Sequence, residues 1–391
     1  MSVLSLFSCT MHKEECYSKV DSTRFTSRFT NGEKGIGQGV SACYAGIIGG
    51  KLLMAGGCNF PDVPVAEGGK KQFYSGIYLA DIPKDGDSLL VWNRVGELPV
   101  PSAYGVSLPF DSGIICIGGT DGNTPLASVY LLNVADTGGI TIKYLPSLPC
   151  PLDNMGGAIY GDTVYVAGGN ASGEPSNRLF TLDMKQPEAG WCELTPFPGN
   201  PRVQPVCAVQ KSEGEIYFYI WGGFSAAYGN NTATLSTDGY RYSVSRKGWE
   251  QEASPVVSAG DTISLGGGSA VALSDSLVIF TGGVNKDIFL KALQRDAALK
   301  KAVSEKDIRL ADSLQQVWKE YMLRPSQWYG FNKKILLYNS NNGTWRELPG
   351  CSGTARAGAA LVADSDTVFC IGGELKPGIR TSSIVQIIPK R

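Results

Sequence analysis

A single histidine, His12, occurs in 391 residues. That scarcity argues against a histidine triad, a multi-histidine metal site and an imidazole general base. Ten cysteines at 9, 16, 43, 58, 116, 150, 192, 207, 351 and 370 include no CxxC pair, which argues against zinc; Cys116 and Cys370 stand inside apolar runs and read as small core hydrophobes. Glu374 directly follows Gly372-Gly373, and Arg380 comes six positions later across the Pro377-Gly378 turn. The two read either as an ion pair stapling its own loop, which would contribute little stability, or as a functional pair pointing into the mouth of a central channel. Arg202, in Pro201-Arg202-Val203-Gln204, is either a second cation for the same site or a solvated turn residue, while Lys70 and Lys71 read as part of a solvated loop.

Glu374 owes its place to a repeat. Six β-type apolar runs end in paired glycines, at 56–57, 118–119, 168–169, 222–223, 282–283 and 372–373. A period near fifty residues is a propeller signal, because one such unit cannot bury its own apolar face. Most pairs are followed by a second β-type stretch and then an aromatic, as in Trp92, Tyr144, Trp191, Trp249 and Trp345. The pattern resembles the kelch motif, so the fold expected is all-β: a six-bladed kelch-type β-propeller over 24–391. The sixth repeat ends at Ile384 to Ile388 with no tryptophan strand after it. Within an N-terminal segment 1–23, the stretch from about Glu14 to Val20 is expected to supply the missing strand and close the ring. Residues 286–323 break the pattern: they lack Gly and Pro and place Leu310, Leu314, Val317 and Tyr321 at helical spacing, predicting two helices interrupted near Ser304 to Asp307.

In a four-stranded blade the loop after the second strand shares a face with the turn into the next blade. All six post-glycine loops therefore lie on one face with the turns Pro101 to Gly105, Asn154 to Gly157, Gly199 to Gln204 and Thr354 to Gly358. Long loops on a rigid scaffold are the usual place for function. That face carries the loop from Asn59 to Lys71, the helical insertion and the Glu374 to Arg380 loop.

The 35 basic and 36 acidic side chains nearly balance without a basic block, so nothing suggests a nucleic-acid footprint. No segment approaches transmembrane length. The start ending Leu6-Phe7-Ser8-Cys9 reads either as the remnant of a lipoprotein signal, which would place the protein in the periplasm or cell envelope, or as an ordinary N-terminus of a cytoplasmic protein.

Three strings carry a family resemblance: Ala103-Tyr104-Gly105-Val106-Ser107-Leu108-Pro109; Gly282-Gly283-Val284-Asn285 followed by Ile288-Phe289; and Gly373-Glu374 through Lys376-Pro377-Gly378 to Arg380-Thr381. They resemble the N-acetylneuraminate epimerase (sialic acid mutarotase) family of kelch propellers. The Glu-to-Arg blade is last here rather than mid-chain, so the chain looks like a cyclically permuted branch, and a closed ring tolerates new termini. The resemblance implies a bacterial isomerase that acts on an acidic sugar without metal or redox cofactor. It implies Glu374 as proton acceptor with Arg380 assisting, Arg202 as a weaker carry-over, and Asn285 and Lys376 as further substrate-side residues. The insertion is a candidate lid or homo-oligomer surface. Two rival classes are a non-catalytic kelch interaction module and a sialidase-like propeller, although glycosidases generally flank the bond with two carboxylates and no second acid is evident beside Glu374.

Overall fold

The computed structural model describes residues 17–256, 260–349 and 352–391. Cys9, His12, Cys16, Cys351 and the start of the expected closing segment lie outside the described residues. Strand pairing yields four separate four-stranded antiparallel meanders and one eight-stranded sheet. The latter consists of two further meanders joined through one strand, Lys19–Thr30.

That strand is the closing element expected near Glu14 to Val20, displaced toward the C-terminus. Lys19 to Phe25 pair antiparallel with Ile384 to Lys390, and Thr26 to Thr30 then run parallel to Leu89 to Asn93 of the first blade. One strand therefore completes the last blade and covers the outer edge of the first.

The first strands of the blades are Tyr44–Ile48, Val106–Phe110, Gly156–Tyr160, Val206–Ser212, Gly268–Ala272 and Ala360–Asp364. They touch one another in chain order, and the sixth touches the first. Just before them, a ring of backbone hydrogen bonds closes the channel mouth: Tyr104 N donates to Ala42 O, Asn154 to Tyr104, Gln204 to Asn154, Gly267 to Gln204, Gly358 to Gly267, and Ala42 to Gly358.

Second strands are buried on both faces, which is why they read as unbroken apolar runs rather than alternating ones. In Gly113–Ile117, Ile114 and Cys116 join the core shared with the first blade, while Ile115 and Ile117 join the core shared with the third. Such a cluster fills each blade interface. Each fully buried Ile contributes about 1.5–3 kcal/mol. Trp249 and Trp345 donate their indole N–H to Thr195 O and Ala253 O, clipping outer strands to the preceding blade's exit.

The glycine pairs have a backbone cause. Both members of every pair have positive φ, from 55° to 102°, a region that favours glycine. In five pairs the second glycine's N–H donates into the neighbouring blade's entry turn, to Ser102, Leu152, Arg202, Arg356 or Val40 carbonyls. The pair thus turns the chain and latches two blades together.

The insertion is helical, as the spacing predicts: α1 spans Lys286–Ser304 and α2 spans Ile308–Leu323. Asn332 pins its return, with backbone N–H to Gly283 O and side-chain amide to Gly282 O. No helix among the described residues is long and apolar enough to cross a membrane.

Candidate active site

Glu374 opens a two-stranded hairpin, Glu374–Lys376 with Ile379–Arg380, whose register sets Glu374 opposite Arg380. The backbone of Glu374 exchanges two hydrogen bonds with Ala357 in the entry turn of the same blade. Its Oε1 accepts from Gly378 N at 2.8 Å and from Arg380 Nη1 at 2.7 Å. Only glycine serves at 378, where φ is +83° and a Cβ would fall onto the Val65 side chain. No described residue donates to Oε2, and the Glu374 side chain keeps 24% of its exposure, against 3% for Arg380. One carboxylate oxygen is therefore anchored while the other is unengaged by the protein.

Arg380 is held from three sides. Nε donates to Ser41 Oγ at 3.1 Å, Nη1 binds Glu374, and the guanidinium lies 5.1 Å from the Phe60 ring centroid. Burial works to discharge it, but Glu374, with Tyr104 and Cys58, more than offsets that and raises its pKa.

The loop after the first glycine pair supplies the opposite wall. Asn59, buried, donates to Gly35 O and Gly39 O and accepts from Tyr74 Oη, which fixes the start of the loop. Lys70 is exposed, in keeping with a solvated loop. Lys71 departs from that reading: although exposed, its Nζ donates to Tyr104 Oη at 3.0 Å and lies 5.0 Å from the Tyr104 ring centroid. Tyr104 also lines a cavity of about 190 Å³ at the channel mouth, together with Asn154, Gln204 and Gly358.

The insertion packs over the hairpin. Lys376 Nζ donates to Met322 O and Arg324 O at the end of α2, and Tyr329 Oη donates to Tyr321 O. Burial raises the phenol pKa of both Tyr321 and Tyr329, the latter to about 12, and the Glu374 charge acts in the same direction on each.

Three expected ligand-binding residues have other partners. Arg202 is fully buried: Nε donates to Asn200 O, Nη1 to Gly222 O, and Nη1 and Nη2 to the Asp238 carboxylate. The expectation of a second free cation beside Glu374 is corrected on that ground. A signal was present in the repeat, since Arg356 occupies the same place four residues before a first strand and likewise donates to the first glycine's carbonyl, Gly372 O. Asn285 caps α1, its Oδ1 accepting from Asp287 N and Ile288 N, beside a separate cavity of about 980 Å³. Lys376 is the tether described above.

A profile of the N-acetylneuraminate epimerase family matches residues 145–390. The chain belongs to this family. It is 31% identical over 258 residues to the N-acetylneuraminate epimerase of Salmonella enteritidis PT4, covering 65% of this chain and 60% of that protein. The Haemophilus influenzae N-acetylneuraminate epimerase is likewise 31% identical, over 241 residues, covering 62% and 58%. Among solved structures, "Structure of YjhT" aligns with a TM-score of 0.51 and 26% identity, over 62% of this chain and 64% of that one. The alignments thus span about 60% of the curated relatives. The matched span contains Glu374 and Arg380 but not Ser41, Phe60, Lys71 or Tyr104, which complete the site from the first two blades.

Proposed function

We propose that this family member is an isomerase that interconverts the α and β anomers of N-acetylneuraminate. Mutarotation opens a cyclic hemiketal to a ketone and recloses it on the other face, which needs proton transfers and a grip on the acid group. The observation that carries the reading is the split role of the Glu374 carboxylate, with Oε1 bound by Gly378 N and Arg380 Nη1 and Oε2 unengaged by any described residue. Such a carboxylate can accept the anomeric hydroxyl proton without losing its orientation. Arg380 uses two of five guanidinium N–H groups on Glu374 and Ser41, so the same cation can attract the sugar carboxylate. Arg202, Asn285 and Lys376 are assigned to holding the turn, α1 and α2 that frame the site. The relatives' names are the reason for choosing sialic acid over other acidic sugars.

The test is NMR exchange between the two anomers, run beside a sialoside cleavage assay. Accelerated exchange without cleavage is expected. No acceleration would leave a non-catalytic module, and cleavage would make the protein a glycosidase.

A further inference from the structure

Tyr104 occupies a place where its counterparts carry small or amide side chains. In the channel ring those counterparts are Ala42, Asn154, Gln204, Gly267 and Gly358, and Tyr104 takes the same left-handed backbone with φ 61°. That conformation is costly for an aromatic residue, so the placement of the ring calls for a reason. Its hydroxyl accepts from Lys71 Nζ at 3.0 Å. Lys71 and Arg380 both approach Phe60, at 5.9 and 5.1 Å from the ring centroid, so Phe60 joins the cation on the tyrosine to the cation on Glu374. The titratable groups around the phenol are Lys71, Cys58, Arg380 and Glu374. Burial chiefly raises its pKa, Cys58 and Glu374 push the same way and Arg380 opposes, so it stays protonated at neutral pH.

We propose that Tyr104, polarised by Lys71, is the proton donor to the sugar ring oxygen, opposite Glu374 as base. The inference rests on the mutarotase reading. Glu374 takes the anomeric hydroxyl proton, and that O–H electron pair becomes the second bond of the ketone. The bond from the anomeric carbon to the ring oxygen breaks, its electron pair passes to that oxygen, and the oxygen takes the Tyr104 proton. The phenolate is held by the Lys71 ammonium and the Arg380 guanidinium. After rotation about the carbon chain the steps reverse: the attacking hydroxyl returns its proton to the phenolate, and Glu374 returns its own to the carbonyl oxygen. Although burial raises the phenol, a developing alkoxide is a strong base, and the Lys71 ammonium and the Arg380 guanidinium take up the charge that donation leaves on Tyr104.

The experiment compares full-length wild type, Tyr104→Phe, Lys71→Met and a fluorotyrosine at 104 by anomer exchange, with sugar affinity measured in parallel. Tyr104→Phe should lose about 10²- to 10⁴-fold in kcat with affinity nearly unchanged. Lys71→Met should lose about tenfold. The more acidic fluorotyrosine should move the alkaline limb of the pH–rate profile to lower pH, a shift that a packing role does not produce. Wild-type kcat in Tyr104→Phe, a loss confined to affinity, or an unmoved alkaline limb would overturn the donor role while leaving the mutarotase reading intact. A wild-type protein that does not accelerate exchange would overturn both.

Discussion

Arg202 and Arg380 are both buried arginines paired with a carboxylate on propeller loops, yet the two pairs do different work. Arg202 donates through all three of its nitrogens to Asn200, Gly222 and Asp238, inside the turn that joins the third and fourth blades. Arg380 spends Nε and Nη1 on Ser41 and Glu374, its partner retains an unengaged oxygen, and Phe60, Tyr104 and Lys71 stand around it. Charge and burial alone therefore do not identify a site. What separates the pairs is whether the carboxylate has capacity left after the arginine is satisfied.

The strongest way to break this contrast is to neutralise each acid. Glu374→Gln should lower the anomer-exchange rate by about 10²- to 10⁴-fold, far more than the stability lost by leaving the buried Arg380 beside an uncharged amide that still offers it an acceptor; normal exchange in this variant removes Glu374 as base. Asp238→Ala should do the converse, costing about 2 kcal/mol in denaturant titration because the buried Arg202 charge loses its partner, discounted for an Asp238 side chain 32% exposed, with the exchange rate retained.

Substituting the cation separates ligand binding from the anchoring of Glu374. Arg380→Lys keeps the charge but loses the planar fork, so affinity for the acidic sugar should fall about tenfold more than affinity for a neutral analogue. Equal losses in a binding titration would assign Arg380 to holding Glu374 alone. Asn285→Ala should cost about 1 kcal/mol as a lost helix cap, with anomer exchange little changed.

A separate handle on the scaffold is pH. Burial raises the phenols of Tyr74, Tyr78, Tyr165 and Tyr219 from 10 to about 12. A folded pKa above the unfolded one contributes stability that is present below pH 10 and lost as pH rises through about 12. Denaturation midpoints should therefore hold up to about pH 10 and fall between 10 and 12. A flat profile across that window would show that these phenols titrate alike in both states.

Much of the fold was legible because its signals are local. A glycine pair with positive φ follows each doubly buried strand, and the helical spacing of 286–323 marks the insertion without any knowledge of its neighbours. Glu374 and Arg380 were legible for the same reason, being opposite ends of one short hairpin. Tyr104 and Lys71 were not, since they join across 33 positions through a loop whose composition reads as solvated. Arg202 was misread because its partner Asp238 lies 36 positions away, with nothing in its own turn to announce it.

By itself, then, the sequence determined the repeating blades, the insertion and a carboxylate and guanidinium facing each other, because each depends on backbone conformation and spacing within a few residues. Tertiary structure alone decided which charges are consumed and which have capacity left. Ring closure brings the first blade's Ser41 and Phe60 against the last blade's hairpin, with Lys71 bridging Phe60 and Tyr104, and a residue's free hydrogen-bonding capacity is set by neighbours that the chain delivers only when it closes.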